Sequence, residues 1–418
     1  MSVNNMTIEQ ASAFLGAIVS QMQGGALASV STGNFVSVAQ NALKQGYEPL
    51  LNAISQVLAR TIFSIRPYRG KLSGLLVDNQ KYGAITRKIN YIDGVLEDDQ
   101  RIYYTGTTPY ANGDSPNPDQ WAFRKPAVWQ SNWYGSDSYQ RVTSILRDQI
   151  DTAMSSPSMF AEFISGQIQN IVDQLEQVND AKARAALINY IGGKIQLATD
   201  DGTNATHVVH LFQEYAADTG VTLTLATYLA PSNFRPFAEW LYARIATLTD
   251  MMAERGHKFN FSPTLAGSKA WIERHTPKDR MKAFFVADAF NKIQAMAISE
   301  VFNKEELRMI EFTPVNFWQS AADPYNITAE VTVNDAAVNI TGPSVDDLKT
   351  VSVTTKGTPD TPVLGVIMDE EACGLTIINE GVYDSGLNAA SLVNNRFWHI
   401  QTRMWADFCE SGVVLLLD

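Results

Sequence analysis

The chain has 418 residues and a formal net charge of −12, and only 18% of its residues are charged, against about 25% in average globular usage. An acidic surface repels phosphate backbones, so these totals exclude a protein that binds nucleic acid over its whole surface. No stretch approaches the roughly 18 consecutive apolar residues of a membrane span. The length and the 45% hydrophobic content are ample for a buried core. The shortage of charge means that uncharged side chains must cover much of the surface, which either large subunit interfaces or a polar, uncharged exterior accounts for.

Residues 1–35 are small and polar. Within them Met6 to Met22 has helical spacing, with Ile8, Ala11, Phe14, Leu15 and Ile18 on one face. The Gly/Ser/Val stretch that follows reads as a flexible arm. Val38 to Ile62 is a second helix candidate, which Pro49 divides or kinks. From residue 66 the pattern changes to short apolar alternations: Ile85, Ile89, Tyr91 and Val95, then Ile102 to Tyr104. Thr105 to Gln120 is loop chemistry, rich in Gly, Pro, Asn and Asp, and an aromatic return carries Trp121, Phe123, Trp129 and Trp133. Two strands are expected here. They have little apolar mass of their own, so an extended ribbon lying on something else fits better than a self-contained sheet.

Residues 159–177 give the cleanest helix signal, with Met159, Phe160, Phe163, Ile164, Ile168, Ile171, Val172 and Leu175 on one stripe. Ser156 and Pro157 occupy the cap and first-turn positions. The pattern resumes after Asp180 and is expected to stop at Gly192-Gly193. Val221 to Tyr228 alternates like a strand. Phe234 to Glu254 is an amphipathic helix lined by Phe237, Leu241, Ile245 and Leu248 and closed by Gly256. Phe284 to Phe302 is mixed, and Ile327 to Val366 is Thr/Val-rich strand and turn. Helices and strands intersperse without a regular alternation, which points to an α+β fold.

A search for chemistry returns little. There is no nucleophile elbow, dinucleotide turn or phosphate loop. His207 and His210, in HVVH, sit on a strand-like segment that places them on opposite faces, so they do not form a metal pair. His399 lies in an aromatic strand and is expected to be packed or at an interface. The acidic pairs Asp98-Asp99, Asp346-Asp347 and Glu370-Glu371 lack calcium-loop spacing and read as turns. Cys373 and Cys409 are expected to be free buried thiols in a reducing compartment. No secretory signal opens the chain. No catalytic residue, cofactor or metal is expected. A local basic excess at Arg60, Arg66, Arg69 and Lys71 reads as a solvated or interface segment.

The order of elements (arm, ribbon, long helix, α/β body, terminal strands) resembles the Hong Kong 97-type fold of tailed-phage major capsid proteins, most like those of small short-tailed phages. Two segments add to the likeness. Gly365 to Thr376, GVIMDEEACGLT, looks like an apolar strand, an acidic turn and the start of a second segment. Asn394 to Asp418, NNRFWHIQTRMWADFCESGVVLLLD, looks like an aromatic strand, a turn and a terminal apolar strand.

The resemblance implies an N-terminal arm with helices over 1–65 and an extended loop, the E-loop, over 66–139. It implies a peripheral domain with its spine helix over 140–196, and an axial domain with returning peripheral strands over 197–418. It implies a shell subunit that assembles with itself as hexamers and pentamers, with a scaffolding protein and a portal as partners. Double-stranded DNA would lie on the inner face without sequence specificity, and no membrane would be involved. Assembly is expected in the host bacterial cytoplasm, and the finished protein in the virion. On this view Trp121, Phe123, Trp129, Trp133, Arg66 and Arg69 contact a neighbouring subunit. No appended immunoglobulin-like domain and no Lys–Asn cross-link is expected. Two other readings stand beside it: an encapsulin-like nanocompartment shell built on the same fold, and a soluble hydrolase with a dispersed active site.

Overall fold

The computed structural model describes residues 8–22, 30–31, 33–45, 49–50, 53, 72–77, 86–91, 128–133, 136–201, 206–261, 264–265, 268–269, 272–289, 291–292, 312–327, 330–338, 348–356, 362–388 and 392–418. Its helices are α1 (Ile8–Met22), α2 (Phe35–Lys44), α3 (Arg147–Ala153), α4 (Pro157–Asp201), α5 (Leu211–Thr219) and α6 (Pro231–Ala253). Its strands are β1 (Leu76–Val77), β2 (Thr86–Tyr91), β3 (Val128–Trp133), β4 (Asp137–Leu146), β5 (Val208–His210), β6 (Thr264–Leu265), β7 (Ser268–Lys269), β8 (Met281–Val286), β9 (Phe312–Val315), β10 (Glu330–Val338), β11 (Leu348–Lys356), β12 (Val363–Asp369), β13 (Cys373–Asn388), β14 (Val393–Ala406) and β15 (Gly412–Leu416). They form two compact units: Met1–Ala84, Gly135–Leu187 and Cys373–Trp405 make the first, and Ile85–Tyr134, Ile188–Ala372 and Ala406–Asp418 the second.

In the first unit, β1, β13, β14 and β4 form a sheet in that order. Its longest ladder pairs β14 antiparallel to β4, from Val393 opposite Leu146 to Thr402 opposite Asp137. Alternate residues face inward. Ile145 and Trp398 join a core with Ala11, Phe14, Leu15 and Ile18 of α1, Phe35 and Ala39 of α2, Ile150 of α3 and Phe160 of α4. These are the three-and-four spacings that the sequence shows for α1. Phe160 is the aromatic centre, with ring centroids 6.3 Å from Phe14 and 5.7 Å from Phe35. Met159, assigned from sequence to the same stripe, is instead exposed.

α4 starts where its cap residues predict. Pro157 is its first residue, and the Ser156 hydroxyl accepts the Met159 N–H at 3.3 Å. Its end differs from expectation. The helix does not stop at Gly192-Gly193 but continues to Asp201, 45 residues in all, or about 68 Å at 1.5 Å per residue. The reason is tertiary: Gly193 faces the Phe408 ring so closely that no side chain fits. Gly193 serves close packing rather than termination.

The second unit holds a five-stranded sheet in the order β5-β15-β12-β8-β9. β12 and β15 are buried at every position, the pattern of central strands covered on both faces. One core joins Leu364, Ile367, Val413 and Leu415 to Phe237, Leu241, Ile245 and Leu248 of α6, the stripe read from the sequence. α6 ends at Ala253, and Gly256 instead forms a backbone bridge with Arg274. Val221 to Tyr228, expected to be a strand, is an irregular segment running into turns. Gly220, at φ 75°, ends α5 in the left-handed region, and the N–H groups of Thr227 and Tyr228 both bond the Thr224 carbonyl at 2.9 Å. Alternation here separates two anchors from exposed positions rather than two sheet faces. Cys373 and Cys409 are free and buried, as expected.

β2 and β3 pair antiparallel, from Thr86 opposite Trp133 to Tyr91 opposite Val128, so the two predicted ribbon strands meet at their described ends. They do not stand alone. β10 and β11 extend them into a four-stranded sheet ordered β11-β10-β3-β2. The closing segments of the chain also separate: β14 belongs to the sheet of the first unit and β15 to the five-stranded sheet of the second.

His207 precedes β5 and is buried, and His210 is the last residue of that strand. His210 Nδ1 lies 2.8 Å from Asp418 Oδ1. That hydrogen bond raises the imidazole pKa above its ordinary 6.5, against the opposing effect of burial. A raised histidine pKa stabilises fully below the unfolded value, and the contribution fades as pH rises through the folded one. Asp418→Asn is therefore expected to lower stability by less than about 1 kcal/mol near pH 6, because the pair is partly exposed. Near pH 9 the loss should be close to none. Denaturation of both proteins across pH checks this, and a pH-independent difference would contradict it.

Candidate assembly surfaces

The sheet of the first unit has a second face, opposite the core. Its β4 residues Ser138, Gln140, Val142, Ser144 and Leu146 are all exposed. Opposite them on β14 stand Phe397, paired with Val142, and His399, paired with Gln140. Phe397 stacks on His399 at 6.4 Å, and Tyr383 of β13 meets the same imidazole edge-on at 5.4 Å. Tyr383 is 58% exposed. The result is an uncharged face on which Ser138, Gln140 and Ser144 accompany Val142, Leu146 and the aromatic cluster. His399 touches both rings but is itself exposed.

In the second unit the root of the ribbon carries an ionic cluster. Lys88 Nζ on β2 lies 2.7 Å from Glu410 Oε1 and 3.1 Å from Asp407 Oδ2, and Asp407 is fully buried. Burial alone would lower the Lys88 pKa, but the Asp407 and Glu410 carboxylates reverse this and raise it. The ammonium therefore stays charged through the neutral range. Burial raises the Glu410 pKa, against the pull of Lys88 and Arg274, and Arg274 Nη2 sits 3.3 Å from its carboxylate. Beside them, Arg280 Nε holds Glu370 at 2.6 Å and its Nη2 holds Glu371. The Arg280 hydrogen bond keeps the Glu371 carboxyl below its usual range. The acidic turn seen in the sequence is thus paired with the side chains of Arg280 and Lys88.

The turn from Asp407 to Ser411 is fixed from below as well. Lys194 of α4 is fully buried, and its Nζ donates to the carbonyls of Phe259 at 2.9 Å, Glu410 at 3.1 Å and Phe408 at 3.3 Å. Burial pushes its pKa down to about 7, opposed by Cys409, Asp407 and Glu410. Phe408 stacks on Tyr190 at 5.8 Å and 10°. The turn between β14 and β15 therefore gathers β2, α4 and the Phe259–Phe261 segment around itself.

Of the residues assigned from sequence to a neighbour contact, Arg66, Arg69, Trp121 and Phe123 lie outside the described residues. Trp129 is on β3, opposite Asn90. Trp133 is buried within its own unit, where its indole N–H donates to the Ala406 carbonyl at 3.2 Å. Its cover comes from its own chain. Sequence reasoning missed Lys88, Lys194, Asp407 and Glu410, because nothing local marks a lysine whose partners are about 65 to 320 residues away. Among the described residues no group of three His, Cys, Asp or Glu is placed to hold a metal, and no helix is long and apolar enough to cross a membrane.

No family model matches the chain, and no curated protein matches its sequence. Solved structures do match. A chain in the capsid structure of Staphylococcus phage Andhra aligns with a TM-score of 0.50 at 10% identity, over 85% of this chain and 86% of that one. The chain has a phage capsid fold. Two other solved structures have lower scores. One is that of the head fiber and inner core protein gp22 of bacteriophage P68, at 0.48 and 8% identity over 84% of this chain and 85% of that one. The other is the capsid structure of the cyanophage P-SCSP1u, at 0.42 and 12% over 85% and 90%. At 10% identity the likeness is one of backbone architecture, and a capsid fold is met here as mixed helix and sheet, as the α+β reading expected.

Proposed function

We propose that the chain is the major capsid protein of a tailed bacteriophage, with a Hong Kong 97-type fold, and not an enzyme. It builds the icosahedral or prolate head from hexamers and pentamers of itself, around double-stranded DNA. The observation that carries this reading is the shared fold over 85% of this chain and 86% of the Andhra capsid chain. Three features support it. The paired roots of β2 and β3 suit an E-loop spanning 66–139. The 45-residue α4 suits a spine helix, extending a peripheral domain of 140–196 by a few residues. The uncharged outer face with Val142, Leu146, Tyr383 and Phe397 suits a place where the ribbon of a neighbour lies, with Trp121 and Phe123 as its aromatic anchors. The remainder, 197–418, builds the axial domain and the returning peripheral strands. A scaffolding protein and a portal are its partners during assembly in the host cytoplasm. A net charge of −12 lets packaged DNA slide without sticking.

The test is expression with and without a co-expressed scaffolding protein, followed by negative-stain microscopy. Closed shells, or pentameric and hexameric rings, are expected. A monodisperse monomer under both conditions overturns the reading. Deleting Thr105–Gln120 is expected to leave a folded subunit that forms no shells. Normal assembly of that variant would remove the E-loop from the proposal.

A further inference from the structure

Among the described residues Lys194 is the only fully buried lysine, and its surroundings pull its proton two ways. Three carbonyls surround Nζ: Phe259 at 2.9 Å, Glu410 at 3.1 Å and Phe408 at 3.3 Å. An ammonium has three N–H groups and serves all of them, whereas a neutral amine has two. The Tyr190 ring, with its centroid 5.5 Å from Nζ, also favours the cation. Burial favours the amine. Neither form leaves an orphan, because each carbonyl has a second donor: Gly412 N–H on Phe259, Phe261 N–H on Phe408 and the Tyr190 hydroxyl on Glu410. The proton can therefore come and go without dismantling the turn.

Lys194 also shares its carboxylates with the ribbon. Asp407 and Glu410, which hold Lys88 of β2 at 3.1 Å and 2.7 Å, act by charge on Lys194 as well. The other charges of the cluster are Arg274, 3.3 Å from Glu410, and Glu371, which lies 3.5 Å from Lys88 and is itself held by Arg280. Tyr190 of α4 and Cys409 of the turn are the remaining titratable groups beside Lys194. With Lys194 neutral, Lys88 and Arg274 match Asp407 and Glu410 charge for charge. With Lys194 protonated, three cations share two buried carboxylates, and Lys88 loses part of its hold.

We infer that Lys194 is a proton-operated switch on the ribbon root: proton uptake beneath the turn loosens Lys88 and with it β2, and proton release tightens them. The linkage is reciprocal. When β2 lets go of Asp407 and Glu410, their charge is left to Lys194, which then binds its proton more strongly. Burial sets the Lys194 pKa at about 7 while β2 is held. Opening of β2 raises that pKa and so takes up a proton, which means that β2 is held less firmly in acid and more firmly as pH rises through neutrality. The switch lies within one subunit and does not depend on the capsid reading.

Hydrogen exchange of the β2 amides at about pH 6 and about pH 8 tests this, in the full-length unassembled chain and in Lys194→Met. The window closes below the ordinary thiol pKa of about 8.5, which keeps Cys409 neutral. In the unchanged chain, protection corrected for intrinsic exchange is expected to rise roughly three- to tenfold across the window. In Lys194→Met the rise should shrink to whatever Glu410 contributes in both proteins. Lys194→Gln, uncharged at every pH and with two N–H donors, supplies the same comparison if the methionine variant is too unstable. Flat protection in the unchanged chain overturns the inference. An equal rise in the unchanged chain and the variant also overturns it, and would assign the effect to Glu410.

Discussion

Gly193→Ala is expected to destabilise the protein by about 1–3 kcal/mol, although alanine is the better helix former. In an exposed helix interior the exchange gains about 1 kcal/mol from propensity. At residue 193 the new methyl group would overlap the Phe408 ring, which cannot withdraw because it stacks on Tyr190 and belongs to the turn that Lys194 holds. Overpacking of this kind costs about 1–3 kcal/mol. Gly166 supplies the comparison within the same helix. It is exposed, and a Cβ there meets nothing within 4 Å, so Gly166→Ala should stabilise by about 0.5–1 kcal/mol. Chemical denaturation of the two variants should move in opposite directions. Equal shifts would refute the account of why α4 runs through its glycines.

A larger effect is expected at Lys88. Lys88→Met leaves the fully buried Asp407 carboxylate without its cation and deprives Glu410 of the nearer of its two. Breaking a buried ion pair from one side costs about 3–5 kcal/mol, because the remaining charge keeps its desolvation penalty. Lys194→Met should be milder, about 1–3 kcal/mol. Each of its three carbonyls has a second donor: Gly412 N–H on Phe259, Phe261 N–H on Phe408 and the Tyr190 hydroxyl on Glu410. The substitution also removes a buried amine whose charged form burial disfavours. Hydrogen exchange would separate the two, with Lys88→Met loosening β2 first. An undisturbed β2 in that variant would mean that the cluster does not hold the ribbon root.

Parts of this architecture were legible from local pattern and parts were not, for physical reasons. α1, α6 and the start of α4 follow from three-and-four spacing and from Ser156-Pro157, signals that sit within a few residues of the structure they specify. The course of α4 past Gly193 was not legible, because glycine gives the same local signal whether it ends a helix or admits a ring from 215 residues away. Val221 to Tyr228 alternates, but its inward residues are anchors of a turn rather than one face of a strand. The terminal aromatic and apolar strands were recognised as strands, but period-two patterning carries no information about which sheet receives them. Phe397 and His399 were visible as part of an aromatic strand, whereas Tyr383 of β13 carried no such signal. That those rings face away from the core depends on the pairing with β4.

The position of β15 bears on how the protein is made. It is inserted between β5 and β12, pairing parallel with one and antiparallel with the other. During synthesis the ribosome has released β5, β8 and β12 long before residues 412–416 emerge. Until then the five-stranded sheet is incomplete, and its strands wait for a segment that pairs Val414 with Val208. Closing so long an interval is slow compared with forming local helices. The second unit is thus completed after its β5–β12 stretch has been translated.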